Sequence, residues 1–161
     1  MVDMRAERGR VVGSNMKTDL RLADWSVEQT RETWWIGDDS LTVTADRQLG
    51  HRSDGEIAVS YEGLSARFAG LDMNGDRAVY DENRGVLRLE GNVSGSDSSH
   101  RFEAGRLDYD LRHRNFTAAG TVSLAGDSFS ISAAEFAREG DAESFRGTPA
   151  EFRQDGCYIA A

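Results

Sequence analysis

Three acidic or amide side chains have the spacing of a calcium-binding loop. Asp72, Asn74 and Asp76 occupy alternate positions, as do the first oxygen ligands of an EF-hand loop. The second half of the pattern is missing, because Arg77 stands where the loop requires glycine and Asn83 where it requires a bidentate glutamate. We therefore interpret this segment as a solvated turn and predict no metal site.

Histidine and cysteine also lack the spacing of a metal centre. His51, His100 and His113 lie far apart in the chain without a paired ligand, which argues against zinc. Cys157 is the only cysteine, so an intrachain disulfide and a multi-cysteine metal site are both excluded.

The carboxylates leave one catalytic possibility open. Residues such as Asp108, Asp110 and Glu135 are numerous enough to include a glycosidase pair, although carboxylates on strands are usually only solvated. The sequence has no Gly-x-Ser-x-Gly elbow and no phosphate-binding glycine loop. We predict that the chain is not an enzyme and needs no cofactor.

Composition restricts the partners. The chain has 161 residues, enough for one domain with its own core, and a formal net charge of -9. That charge argues against nucleic acid and against an anionic membrane surface. No apolar run approaches the length of a transmembrane helix, and no signal-peptide core follows Met1.

The clearest pattern is an internal repeat of about 28 residues. Gly63, Gly91, Gly120 and Gly147 are separated by 28, 29 and 27 residues. Other columns of similar residues accompany the last three glycines: Tyr80, Tyr109 and Phe136; Met73, Phe102 and Phe129; Ala78, Leu107 and Ala134. Since one hairpin cannot bury an apolar face, the units must stack or fold into a common structure.

Within each unit, apolar and polar residues alternate as in half-buried strands. Leu41, Val43 and Ala45, for example, alternate with two threonines. Because side chains on a strand alternate between its faces, the repeat predicts antiparallel strands with one apolar inward face and almost no helix. A closed sandwich core and an open apolar groove use the same residue types, so both remain possible.

The repeat resembles a known family. The run from Asp76 to Asp81 and the run from Gly85 to Val93 are similar to the repeat of the OstA-like lipopolysaccharide-export proteins LptA and LptC. Residues 106–110 and 120–122 repeat the pattern, and residues 41–46 resemble its opening strand. The likeness covers roughly residues 38–152. About forty residues precede the first clear repeat, which favours the LptC-like branch.

The resemblance implies a twisted antiparallel β-jellyroll with an apolar groove. Such a domain is a non-enzymatic periplasmic module that receives lipopolysaccharide acyl chains and passes them to a partner β-jellyroll. The residues that we expect to line the groove are Leu71, Met73, Tyr80, Leu87, Leu89, Phe102, Leu107, Tyr109, Phe116, Phe129, Ile131 and Phe145. Arg84, Arg88, Arg101 and Arg106 are the residues that we expect at its rim, facing the lipid head group.

The resemblance also implies partners and a location. We expect edge-strand pairing with another β-jellyroll through Pro149, Glu151, Phe152 and Arg153, because proline is confined to edge positions and such an edge offers free backbone groups. An inner-membrane ABC transporter is a further partner of LptC-like members. The expected location is the periplasm, with attachment to the inner membrane through a segment absent from this chain.

Two other functions stay open from the residues alone. One is a structural or assembly β-repeat domain that binds a partner protein through exposed edge strands. The other is a carbohydrate-active enzyme on a β-scaffold.

As domain boundaries we predict a flexible N-terminal arm over 1–16, a single β-jellyroll over 17–156 and a C-terminal tail over 157–161.

Overall fold

The computed structural model describes most of the chain, and almost all of the described residues are in strands. They are residues 1–6, 9–19, 23–53, 56–81, 83–139, 142–146, 150–154 and 157–160. Side chains are described within those ranges except at 2–6, 9, 53, 56–57, 142–143, 145, 157 and 160. No helix occurs in these ranges, so the prediction of an all-β, antiparallel fold is confirmed.

All strands described belong to one sheet. They are β1 (Val2–Ala6), β2 (Gly9–Thr18), β3 (Asp24–Ile36), β4 (Asp39–Ser53), β5 (Glu56–Phe68), β6 (Leu71–Asp81), β7 (Val86–Ser96), β8 (His100–Asp110), β9 (Asn115–Gly126), β10 (Phe129–Glu139), β11 (Ala142–Arg146), β12 (Glu151–Gln154) and β13 (Cys157–Ala160). Each strand from β1 to β10 pairs antiparallel with the next. The second edge of β10 is shared by β11 and β12, and β13 pairs with β12.

Alternation along the strands creates one apolar face. On β8 the side chains of Phe102, Ala104, Leu107 and Tyr109 are buried, whereas those between them are mostly exposed. The same pattern recurs from β4 to β10, where the buried residues form a single hydrophobic cluster. The prediction of one apolar inward face is confirmed.

The glycines of the repeat lie in the middle of strands rather than in turns. Gly63, Gly91 and Gly120 have φ angles of 61°, 73° and 78°, in the left-handed region that favours glycine. Gly63 has a second constraint, because an added Cβ would lie 2.3 Å from the carboxylate of Asp46. Pairing is irregular beside Gly91, and such irregularities bend a strand. The repeat glycine therefore marks the bend of each hairpin; Gly147 lies outside the described residues.

The alignment of the repeats fails at one position of the last unit. Ala134 is exposed, although it was aligned with the buried Ala78 and Leu107. The alternation of buried residues is interrupted between Ala104 and Leu107 on β8, but between Ala133 and Phe136 on β10, which is two residues later in the repeat. Phe136, not Ala134, therefore shares the inward row with Leu107.

The sheet is folded so that distant strands face each other. Phe68 on β5 and Tyr109 on β8 would be about 14 Å apart across three strand spacings of a flat sheet. Their ring centroids are 5.9 Å apart. The rings of Trp34 on β3 and Tyr80 on β6 are likewise 5.9 Å apart. The apolar face is thus enclosed by the sheet itself, as in a twisted β-jellyroll.

Strands also occur in the segments expected outside the domain. β1 and most of β2 lie within the predicted arm, and β13 lies within the predicted C-terminal tail. Backbone pairing to β3 and β12 joins both segments to the sheet. The domain boundaries themselves stay predictions.

Candidate functional site

The residues predicted to line the groove face the interior wherever their side chains are described. Seven are buried: Met73, Leu87, Leu89, Phe102, Leu107, Tyr109 and Ile131. Four are half-buried and pack against the same cluster: Leu71, Tyr80, Phe116 and Phe129. The side chain of Phe145 lies outside the described residues. The eleven described side chains are therefore inside the fold, and their role as a lipid-binding groove stays a prediction.

Between the facing strands is a cavity of about 600 Å³, which we call the lumen. Its apolar lining consists of Leu71, Phe102, Tyr109, Phe116, Leu124 and Phe136. The Phe116 ring is central, with centroids of Phe102, Tyr109 and Phe136 at 5.9, 6.0 and 5.3 Å. The volume lies within the range of about 300–1,000 Å³ that is usual for small-molecule sites. The lumen can therefore hold an apolar chain.

Charged and imidazole side chains also line the lumen. Arg114 and Arg138 line it together with His100, His113 and Asp97. Burial raises the pKa of the Tyr109 hydroxyl, while the positive charges of Arg114 and Arg138 act in the opposite direction. Both guanidinium groups are therefore close enough to influence this hydroxyl.

The arginines predicted at the rim lie elsewhere. Arg88 and Arg106 both contact the carboxylate of Asp108, at 2.6 Å in each pair, and are exposed on the outer side of the sheet. Arg84 lies in the β6–β7 turn beside Asp81, and Arg101 is exposed next to the buried Phe102. Each alternates with an inward residue or lies in a turn, so none lines the lumen.

The expected partner edge is one strand inside the sheet. Glu151, Phe152 and Arg153 on β12 pair with β10 on one side and with β13 on the other. Two described strands, β11 and β13, therefore lie at the edge at this end of the sheet, and the Tyr158 and Ile159 side chains of β13 are more than half exposed. Pro149 lies outside the described residues. Docking at this end stays a prediction.

The acidic segment 72–76 is part of a strand, not a turn. Asp72, Asn74 and Asp76 all lie on β6, where Asp72 pairs with Arg67 at 2.5 Å and Asp76 accepts a hydrogen bond from Asn92 at 2.8 Å. The interpretation as a solvated turn was wrong because the alternation of inward residues continues through this segment. Among the residues described, no cluster of three or more histidine, cysteine or acidic side chains could hold a metal.

A buried polar cluster at the N-terminal side was not predicted. Glu32 on β3 is fully buried, and its Oε2 accepts hydrogen bonds of 2.9 Å from the Trp34 indole and the Tyr61 hydroxyl. Glu32 Oε1 and Gln48 Oε1 have no hydrogen-bond partner among the described residues. Burial raises the pKa of Glu32 to about 6, although the two hydrogen bonds lower it.

The Glu32 carboxylate should make stability depend on pH. Its pKa is higher in the folded chain than the ordinary 4.5, so ionisation opposes folding and stability falls as pH rises through about 6. The shift corresponds to about 2 kcal/mol. We expect Glu32→Gln, which retains an acceptor without charge, to gain about that much relative to the native chain between pH 4.5 and 7.5.

Urea unfolding at both pH values measures this difference. Glu90→Gln, at an exposed position on β7, is the control for the other carboxylates. An identical pH response of Glu32→Gln and the native chain would show that Glu32 does not titrate in this range.

Membrane-spanning helices are not found in the part of the chain that the structure describes.

No family profile matches the sequence, and no curated protein is significantly similar to it. Among solved structures, the fold is similar to that of LptH of Pseudomonas aeruginosa, the LptA-homologous periplasmic component of its lipopolysaccharide transport device. The identity is 12%, the TM-score is 0.60, and the match covers 70% of this chain and 82% of that one. This likeness shows the β-jellyroll fold.

Proposed function

We propose that this protein is a non-enzymatic, periplasmic lipid-binding module that accepts lipopolysaccharide acyl chains in its lumen and passes them to a partner β-jellyroll. The observation that carries the proposal is the lumen itself, about 600 Å³ in volume and lined by one leucine-rich and aromatic face of a folded sheet. The similar fold of a lipopolysaccharide-transport component supports the same function.

Aromatic packing around the lumen suits an acyl chain. Phe116 is only half-buried, although three aromatic rings surround it. It lines the lumen, so the accessible part of its ring can contact a ligand there. Burial of an alkyl chain against such a surface is favourable by about 0.8 kcal/mol per methylene. Binding of this kind needs no catalytic group.

Carboxylates near the lumen do not favour the alternative of a carbohydrate-active enzyme. The pKa of Asp97 and that of Asp110 are both lowered: each is raised by partial burial, but hydrogen bonds from backbone and histidine groups outweigh this. Such carboxylates stay ionised and are poor general acids at neutral pH. Glu32 has a raised pKa but is fully buried and does not line the lumen.

Transfer to a partner would use the C-terminal end of the sheet. β13 presents unpaired backbone groups at this edge, and its exposed Tyr158 and Ile159 offer apolar contacts to an added strand. At the opposite end, β1 to β3 precede the first repeat, which supports the LptC-like branch and contact with an inner-membrane transporter. The rival function, a purely structural β-repeat domain, would use the same edges without a ligand.

Two C-terminal deletions test the docking edge. Removal of residues 155–161 takes away β13, and removal of 147–161 takes away β12 as well. We expect the shorter deletion to abolish capture of a purified LptA-type jellyroll, because the partner strand loses its template. A control deletion of residues 1–6, at the other end of the sheet, should leave this capture unchanged.

Circular dichroism should show that all three shortened chains keep their strands. If only the longer deletion abolishes capture, the docking strand is β12, as the sequence predicted. Unchanged capture by both C-terminal deletions would contradict docking at this end of the sheet.

A further inference from the structure

Two rows of turns meet along a seam where the sheet folds over its apolar face. One row consists of turns 37–38, 69–70 and 97–99, and the other of turns 83–85 and 111–114. Residues of both rows line the lumen. Residues of both rows also line a second, smaller cavity of about 290 Å³, which we call the seam cavity. Two cavities therefore lie along the seam.

The two cavities have no lining residue in common in the part of the chain that the structure describes. Trp34, Tyr80 and Leu111 contribute apolar side chains to the seam cavity. On the turn at 111–114, Arg112 lines the seam cavity, whereas Arg114 lines the lumen. The boundary between the cavities therefore crosses this turn.

Two side-chain contacts lie at this boundary. Arg114 forms an ion pair with Asp39, which is 75 positions away and two residues after the Gly37 of the seam cavity. The Tyr109 ring, which lines the lumen, packs edge-on against the fully buried Phe68, with 5.9 Å between the ring centroids. We call these two contacts, the ion pair and the ring pair, the partition.

The two contacts of the partition are adjacent. Burial is the main cause that raises the pKa of the Tyr109 hydroxyl, and the charges of Arg114 and Asp39 also act on it. Phe68 lines neither cavity, so the ring pair is packed against the interior rather than against open space. A chain in the lumen would therefore have to separate both contacts in order to reach the seam cavity.

We propose that the partition sets the length of the apolar chain that the lumen accepts. A chain in the lumen ends against the Tyr109 ring, which is held by Phe68 and by the ion pair between Asp39 and Arg114. Only a longer chain that separates these contacts extends into the seam cavity, beside Trp34. This inference rests on the proposed lipid-binding function and adds to it a selection by chain length.

Alkyl maltosides with bromine at the end of the chain test the inference, because bromine quenches the fluorescence of a tryptophan that it contacts. Trp34 and Trp35 line the seam cavity, and the lumen has no tryptophan among its described lining residues. In the series from dodecyl to octadecyl maltoside, the affinity of the native chain should level off at one length, without quenching. Below that length, each added methylene should tighten binding about fourfold.

Two variants open the partition in different ways. Asp39→Asn removes the ion pair, which is exposed, and should tighten binding of the longer probes by up to about fivefold. Phe68→Leu removes the ring pair and should tighten binding of the same probes about tenfold. In both variants the bromine of the longer probes should quench tryptophan fluorescence, because the chain end reaches the seam cavity.

Asp72→Asn is the matched control. Its ion pair with Arg67 joins β5 to β6 on one side of the seam only, so its loss should change neither affinity nor quenching. The double variant Asp39→Arg with Arg114→Asp should restore the native limit, because the ion pair forms again with its charges exchanged. Aspartate also tolerates the left-handed conformation at position 114, where φ is 58°.

The outcomes distinguish this inference from the function on which it rests. Equal affinities and equal quenching in the native chain and in both partition variants overturn the length limit and leave the lumen as a lipid site. Quenching of the native chain by the dodecyl probe also overturns it, because the chain would already occupy the seam cavity. Failure of every probe to bind overturns the proposed function and the length limit together. If Phe68→Leu does not fold, Asp39→Asn decides alone.

Discussion

Lengthening an alkyl maltoside from octyl to dodecyl is expected to tighten its binding about 200-fold. Each buried methylene contributes about 0.8 kcal/mol, and about 1.4 kcal/mol corresponds to a factor of ten in affinity. The lumen can provide this gain because six aromatic and leucine side chains contribute to its lining. The uncharged head keeps the series independent of the charged side chains in the lining.

Titration calorimetry below the critical micelle concentration measures this series. Phe116→Ala, which removes the central ring of the lining, should weaken binding of dodecyl maltoside. Thr117→Ala changes the next residue of β9, which is exposed, and should have no effect. Affinities that do not change with chain length would place the alkyl chain outside the protein.

The second large effect is on stability. Leu107→Ala should lower the free energy of unfolding by about 3 kcal/mol, within the usual range for buried leucines. Leu107 is fully buried, lies beside Leu89 and Ala118 on the neighbouring strands, and does not line the lumen. Truncation to alanine would leave a cavity among the surrounding side chains.

Phe116→Ala is the informative comparison for that experiment. A phenylalanine in a closed core costs about 3–5 kcal/mol when truncated to alanine, but Phe116 already borders a cavity, so we expect less than about 2 kcal/mol. Urea unfolding of both variants gives the two values. A larger loss for Phe116→Ala than for Leu107→Ala would indicate a closed sandwich core and favour a structural role.

The fold followed from two features of the sequence. The glycine spacing and the alternation of apolar residues depend on local backbone geometry. In a repeat, each local pattern occurs several times, so its assignment rests on several independent segments. Residues such as Met73, Phe102 and Leu107 could therefore be assigned to the inward face without a structure. The repeat failed at Ala134, because the alternation of β10 is interrupted two residues later than that of β8.

The polar parts of the site could not be obtained in the same way. Arg114 reaches Asp39 because the sheet folds, and strand alternation does not indicate which turns become neighbours. Arg138 lies opposite Phe116 in the β9–β10 pairing, a register that alternation alone does not fix. Glu32 was missed because a single acidic residue on a strand is normally solvated, and its partners Tyr61 and Gln48 belong to other strands. By contrast, alternation alone places Arg88, between the buried Leu87 and Leu89, on the outer face.

The location of the lipid is the central claim, and photo-crosslinking in cells tests it most directly. A benzophenone amino acid at position 116 would face the lumen, while the same probe at position 117 would face outward on the same strand. We predict that irradiation links lipopolysaccharide to the chain carrying the probe at 116 and not to the chain carrying it at 117. Equal capture at both positions, or capture at 117 alone, would contradict a lipid-binding lumen.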